Sequence, residues 1–113
     1  MHELSVALGI VKIAETEAKK AKAKSVDVIE LDIGALAGIE FQSLDFVWPV
    51  AIKGTILENS TKKVNKIAGK AECTDCKHVF EITNYYDSCP KCNSFIKNIL
   101  QGKELRVKAL EIS

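Results

Sequence analysis

The chain has no marked excess of charge: Lys and Arg total 16 against 15 Asp and Glu, a formal net charge of +1. With no field of one sign, neither a nucleic-acid backbone nor an anionic lipid surface is indicated as a partner. There is also no run of about 18 apolar residues and no basic-then-apolar start of a secretory signal. The expectation is a cytoplasmic protein with no membrane partner. Low-complexity tracts, internal repeats and Gly/Ser linkers are missing too, which excludes solenoids and strings of independent domains. So is a Gly-rich phosphate loop, and no constellation of side chains looks catalytic, so the chain reads as a non-enzyme.

What is present is 113 residues with 47% hydrophobic content, enough for one compact unit with a core and a small appendage. All four cysteines fall in one stretch as two pairs, Cys73-Thr-Asp-Cys76 and Cys89-Pro-Lys-Cys92, with twelve residues between them. In a reducing compartment such pairs point to metal ligation before disulfides. A Cys-x-x-Cys turn places two thiolates on one side of an ion, and a second turn completes the tetrahedral shell that zinc prefers. A segment this small buries little apolar surface, so the ion is expected to supply its folding energy, on the order of 10 kcal/mol at neutral pH. The residue after each turn needs a left-handed backbone, which Asn93 tolerates better than Lys77; strain is expected at the first turn. Between the pairs, Val79, Phe80, Ile82 and Tyr85-Tyr86 are expected to form short strands. Three alternatives compete with zinc in a structural role: paired disulfides, a four-cysteine iron electron carrier, and a zinc-ribbon nucleic-acid-binding module using Lys62, Lys63, Lys66 and Lys70.

On either side the patterning is of ordinary elements. From Leu4 to about Lys22, the residues Leu4, Ala7, Leu8, Val11, Ala14, Ala18 and Ala21 recur at helical spacing, with Ser5 as N-cap. Val26 to Ile33 reads as a strand. Glu40 to about Leu57 reads as a second helix ending near Gly54 or Asn59, in which Pro49 predicts a bend or a late start. Thr61 to Ala71 and Glu104 to Ile112 read as strands that bracket the cysteines and pair with the strand near Leu31, with hinges at Gly69 and Gly102.

The chain opens Met1-His2-Glu3. A free α-amine, an imidazole and neighbouring backbone amides form a close set of nitrogen donors suited to Ni(II) or Cu(II). Alone, a histidine at this position is no more than an exposed side chain. It gains meaning from the ordered set Met-His-Glu-Leu-Ser, Asp32-Ile33-Gly34, Lys53-Gly54-Thr55, the two cysteine pairs and Gly102-Lys103-Glu104-Leu105. Together these resemble the HypA/HybF family of nickel metallochaperones for [NiFe]-hydrogenase maturation.

The resemblance implies an α+β fold, two helices on a three-stranded sheet with an inserted four-cysteine zinc-ribbon-like domain, divided as 1–68 plus 103–113 and 69–102. It implies Zn(II) held structurally by Cys73, Cys76, Cys89 and Cys92, and Ni(II) carried as cargo. His2 would be the principal nickel ligand, completed by the Met1 amine and the amides of His2 and Glu3, with the Glu3 side chain assisting. Glu40 would be an additional ligand, and His78 would have a pH-dependent or coupling role at the zinc. Implied partners are a HypB-type GTPase and the [NiFe]-hydrogenase large subunit, with the chain a monomer or weak homodimer. Asn93-Ser94 follows the second pair where some relatives have another histidine, so a switch requiring two histidines does not fit this chain.

Overall fold

The computed structural model describes residues 2–113. The chain runs through α1 (Glu3–Lys20), β1 (Val26–Gly34), α2 (Phe41–Ile52), β2 (Thr61–Ile67), β3 (Gly69–Cys73), β4 (Val79–Ile82), β5 (Lys97–Gln101) and β6 (Leu105–Ile112). Contacts divide it into two compact units. The first comprises Met1–Asp32, Ile39–Asn65 and Arg106–Ser113, and the second Ile33–Gly38 and Lys66–Leu105.

In the first unit, α1 carries Glu3 in its first turn and Lys19 and Lys20 in its last, complementing the helix dipole. Its buried stripe is Ala7, Ile10, Val11, Ala14 and Ala18, whose small members let α2 approach closely. Two details differ from the sequence pattern. The N-cap is His2, not Ser5, and Leu4 and Leu8 lie outside the core at 44% and 51% exposure while Ile10 takes the inward position. The helix starts earlier than expected, at Glu3, and packing selects which apolar positions face inward.

The second helix buries Leu44, Trp48, Ala51 and Ile52 and stops at Ile52, where Gly54 takes φ 75°. It begins at Phe41, so the late start does not occur and Pro49 lies well past the first turn. Its side chain is exposed, so the ring meets solvent instead of the core. Lys62 on β2 lies 5.4 Å from the Trp48 ring and pairs with Asp45, leaving its side chain 14% exposed. It is thereby removed from the basic stripe that a nucleic-acid module would need.

The sheet order is β2-β1-β6, so the expected bracketing strands do flank the strand containing Leu31. Ser25 and Ser113 exchange backbone hydrogen bonds at one end of β1 and β6, and Gly34 N–H donates to Glu104 at the other, so this pair is antiparallel. The β1 residues Ile29 and Leu31 are buried. Glu30 and Asp32, on the opposite side of the pleat, are held by polar partners. Asn65 donates to both at 2.8 and 2.9 Å, Arg106 donates to Asp32 at 3.0 Å, and Lys108 lies 3.7 Å from Glu30.

The expected strand Thr61–Ala71 is broken at Ala68, because β3 belongs to a different sheet, of order β4-β3-β5. Antiparallel pairs Ala71↔Phe80 and Ala71↔Ile99 set its register, with an irregularity between Lys70 and Ala71. Leu36, Ala71 and Ile82 form the core of this second unit, with Phe80 and Ile99 packed against them. Tyr85-Tyr86 is a turn, not a strand, and the Tyr85 hydroxyl donates to the Leu36 carbonyl at 3.2 Å. Gly102 is no loose hinge. Its φ is 118°, its carbonyl accepts from Leu36 N–H at 2.7 Å, and a Cβ on Gly34 would lie 1.9 Å from that same carbonyl oxygen.

Candidate metal centre

The second unit builds its site from two turns of matching construction. In the first, Lys77 N–H donates to the Cys73 carbonyl at 2.9 Å and Cys73 N–H to the His78 carbonyl at 2.9 Å. In the second, Asn93 N–H donates to Cys89 at 2.8 Å and Cys89 N–H to Ser94 at 2.9 Å. To close this way the chain must turn left-handed after each pair, and Lys77 and Asn93 do so with φ 66° and 63°. The strain expected at Lys77 is therefore present. His78 and Ser94 occupy equivalent places and use backbone carbonyls there, so this part of the turn requires neither side chain. The sequence analysis noted Ser94 only as part of the stretch where some relatives have a histidine; its position two residues after Cys92, as His78 is after Cys76, was the available signal for this backbone role.

The sulfurs converge. Cys73 and Cys92 are 3.5 Å apart, Cys76 and Cys89 are 3.6 Å apart, and all four lie within 4.8 Å of one another. All four are free thiols, so the paired-disulfide alternative is not the arrangement found. Zinc–sulfur bonds of about 2.3 Å in a tetrahedron require sulfur separations of about 3.8 Å, close to those found.

Electrostatics point the same way. The Cys73 thiol is lowered to about 7, first by the Cys76 backbone N–H and, after an opposing effect of burial, by that of Asp75. For Cys89 burial is the largest influence and raises it, but the N–H groups of Cys92 and Lys91 prevail and the thiol is lowered. The second cysteine of each turn goes the other way. Cys76 is raised, since the His78 N–H favours its thiolate but burial and the Cys89 sulfur outweigh it. Cys92 is raised to about 12, the Ser94 N–H being outweighed by the Cys73 sulfur and burial. Four thiolates this close repel one another, and a bound dication would remove the obstacle to ionising all of them. Donor type, spacing and the N–H cradle therefore all fit a tetrahedral thiophilic cation.

Outside this cluster the proposed site residues are spread differently. His2 is exposed and left-handed, φ 41°, and its carbonyl accepts from Val6 N–H at 2.9 Å. Glu3 is 5% exposed and its carboxylate accepts from the Glu40 backbone N–H at 3.1 Å, so these two residues meet. The Glu40 side chain turns to its own helix, capping Gln42 N–H at 2.8 Å. His78 stacks on Phe80 with ring centroids 6.0 Å apart. Among the described residues, the four cysteines are the one group of three or more potential ligands, and His2, Glu3, Glu40 and His78 form no such group. The proposed Met1 amine ligand lies outside the described residues.

Two helices, a three-stranded sheet and a separate four-cysteine cluster define a metal-binding α+β protein. The family described as HypA, hydrogenase/urease nickel incorporation metallochaperone, matches residues 1–112. A hydrogenase maturation factor HypA of Parabacteroides distasonis is 43% identical over 99% of this chain and 97% of its own length. One from Azotobacter chroococcum is 38% identical over 99% of each. The solution structure of the Ni metallochaperone HypA from Helicobacter pylori superposes with a TM-score of 0.70 at 27% identity, covering 99% of this chain and 97% of that one. The chain belongs to the HypA family of hydrogenase maturation nickel metallochaperones.

Proposed function

We propose that the chain carries Ni(II) at its N-terminus and delivers it by ligand exchange, while Cys73, Cys76, Cys89 and Cys92 hold Zn(II) permanently for architecture. The observation that carries this reading is the position of His2. It is exposed at the left-handed cap of α1, next to a Glu3 whose carboxylate is anchored to the start of α2. An imidazole so placed is accessible to a partner, yet set on a fixed helix. The Met1 amine and the amides of His2 and Glu3 supply the remaining nitrogens, a set that suits a d⁸ or d⁹ ion better than zinc. Zinc takes the sulfurs, where soft thiolates in tetrahedral array favour it.

Glu3 acts in this reading through position, and Glu40 contributes a carboxylate near the helix start. His78 stays outside the zinc shell at neutral pH. The role is carriage, not catalysis, and the partners are a HypB-type GTPase and the [NiFe]-hydrogenase large subunit in the cytoplasm. That no helix among the described residues is long and apolar enough to cross a membrane is consistent with this setting. Because nickel must displace protons from imidazole and amine, affinity falls with acid.

The deciding experiment is nickel titration of untagged wild type and His2→Ala, with zinc counted in both. About one zinc per chain in each, no visible absorption, and loss of stoichiometric nickel binding in His2→Ala are expected. Retained nickel affinity in the variant overturns N-terminal binding, and a coloured iron centre overturns the zinc assignment.

A further inference from the structure

The two halves of each cysteine pair differ in their surroundings. Cys73 and Cys89 are both 0% exposed, whereas Cys76 and Cys92 are exposed. Solvent reaches the second sulfur of each turn and not the first, so access selects Cys76 and Cys92.

We infer that Cys76 and Cys92 form the reactive edge of the metal centre, a site of modification by hydroperoxides and other soft electrophiles, with Cys89 and Cys73 as their resolving partners. The inference rests on the zinc reading above. The resolving assignment comes from distance, since the sulfur pairs in contact run between the turns: Cys76 to Cys89 at 3.6 Å and Cys73 to Cys92 at 3.5 Å. Each joins one exposed and one buried sulfur.

With hydrogen peroxide the Cys76 thiolate attacks one peroxide oxygen. An S–O bond forms, the O–O bond breaks, and the departing hydroxide takes up a proton to become water, leaving a sulfenic acid. The Cys89 thiolate then attacks the Cys76 sulfur. An S–S bond forms, the S–O bond breaks, and a second hydroxide leaves and is protonated. In sum, two thiolates, one peroxide and two protons give one disulfide and two waters; the sulfurs lose two electrons and the peroxide gains them. Two of the four donors are thereby withdrawn from the cation. The same account applies to Cys92 with Cys73.

The test uses the full, untagged, zinc-loaded chain. In one arm substoichiometric N-ethylmaleimide is added and the labelled cysteines are mapped by mass spectrometry. Cys76 and Cys92 are expected to be labelled roughly tenfold ahead of Cys73 and Cys89. In the other arm one equivalent of hydrogen peroxide is added while a chromogenic chelator reports zinc. Zinc release is expected to accompany a first disulfide joining Cys76 to Cys89 or Cys73 to Cys92. First labelling at Cys73 or Cys89, or zinc and all four thiols surviving excess peroxide, overturns the inference. A first disulfide inside one turn overturns the resolving assignment. A chain that never holds a metal at these sulfurs defeats the zinc reading itself, a distinct outcome visible before either reagent is added.

Discussion

The Glu3 carboxylate and the Glu40 backbone N–H are joined by a 3.1 Å hydrogen bond, which ties the first turn of α1 to the start of α2. Replacing Glu3 by Ala removes the acceptor and leaves an N–H to be solvated. The melting temperature is expected to fall by on the order of 5 °C, with weaker nickel binding. His2→Ala is expected to lose nickel and leave the melting temperature unchanged. Calorimetry and nickel titration of both variants separate the two roles; equal melting temperatures would show that the Glu3 contact does not matter to the fold.

Acid should act through the sheet. The Asp32 carboxyl is held below its usual value, first by the Asn65 hydrogen bond and, against the opposing effect of burial, by Arg106; Glu30 is lowered chiefly by the same Asn65. A depressed carboxylate contributes stability above its unfolded pKa, and this is lost as pH falls through the folded value. The share of thermal stability that these two carboxylates supply should therefore be full above about pH 5 and decline below about pH 4. Asn65→Ala should be less stable than wild type at neutral pH, with the gap narrowing as pH drops. A gap that widens in acid would contradict the assignment.

Opposite changes are expected at the two left-handed turn residues. Lys77→Gly relieves a strained φ at the cost of unfolded-state entropy, a net gain of roughly 0.5 kcal/mol. Asn93→Ala replaces a residue that tolerates φ 63° with one that does not, a loss of roughly 1 kcal/mol. Zinc retention against a competing chelator, followed in both variants, should move in the same two directions.

Metal removal should be felt locally. Chelation is expected to abolish amide protection at Cys73, Lys77, Cys89 and Asn93, whose N–H groups close the two turns, and then along β3 to β5. Protection in β1 should persist. Hydrogen exchange with and without chelator reads this directly, and simultaneous loss in β1 would show that the chain unfolds as a single block.

Where local pattern and global packing agreed, the sequence was readable. Val26 to Ile33 is rich in β-branched residues and forms its strand as expected, and the left-handed requirement at Lys77 and Asn93 follows from the Cys-x-x-Cys turn alone. The misreadings have a common physical origin. Leu4 and Leu8 fit the helical period as well as Ile10, but only packing against α2 and the sheet decides which stripe faces inward. Thr61 to Ala71 looks continuous because periodicity records a strand and not the sheet it joins; the one local trace of the break at Ala68 was Gly69, read as a hinge. Strand β5 was missed for a similar reason: Lys97-Asn98-Ile99-Leu100-Gln101 is short, half polar and interrupted in register, and it owes its conformation to β3. At the candidate sites the residue types were visible. The hydrogen bond between Glu3 and Glu40, and the division of the cysteines into sheltered and open pairs, arise only from the folded arrangement.

The contact between Gly34 and Gly102 limits how the chain can be re-engineered. Backbone meets backbone there with no room for even a methyl group, so a graft, tag or permuted terminus placed at this crossing would wedge main chains apart. The turn around Gly54 is more open, since nothing lies within 4 Å of a Cβ built there, but its φ of 75° requires that the glycine itself be kept and the splice placed beside it. A reporter built into that turn leaves both the leading histidine and the thiolate cluster untouched, so cargo and architecture can be followed in one molecule.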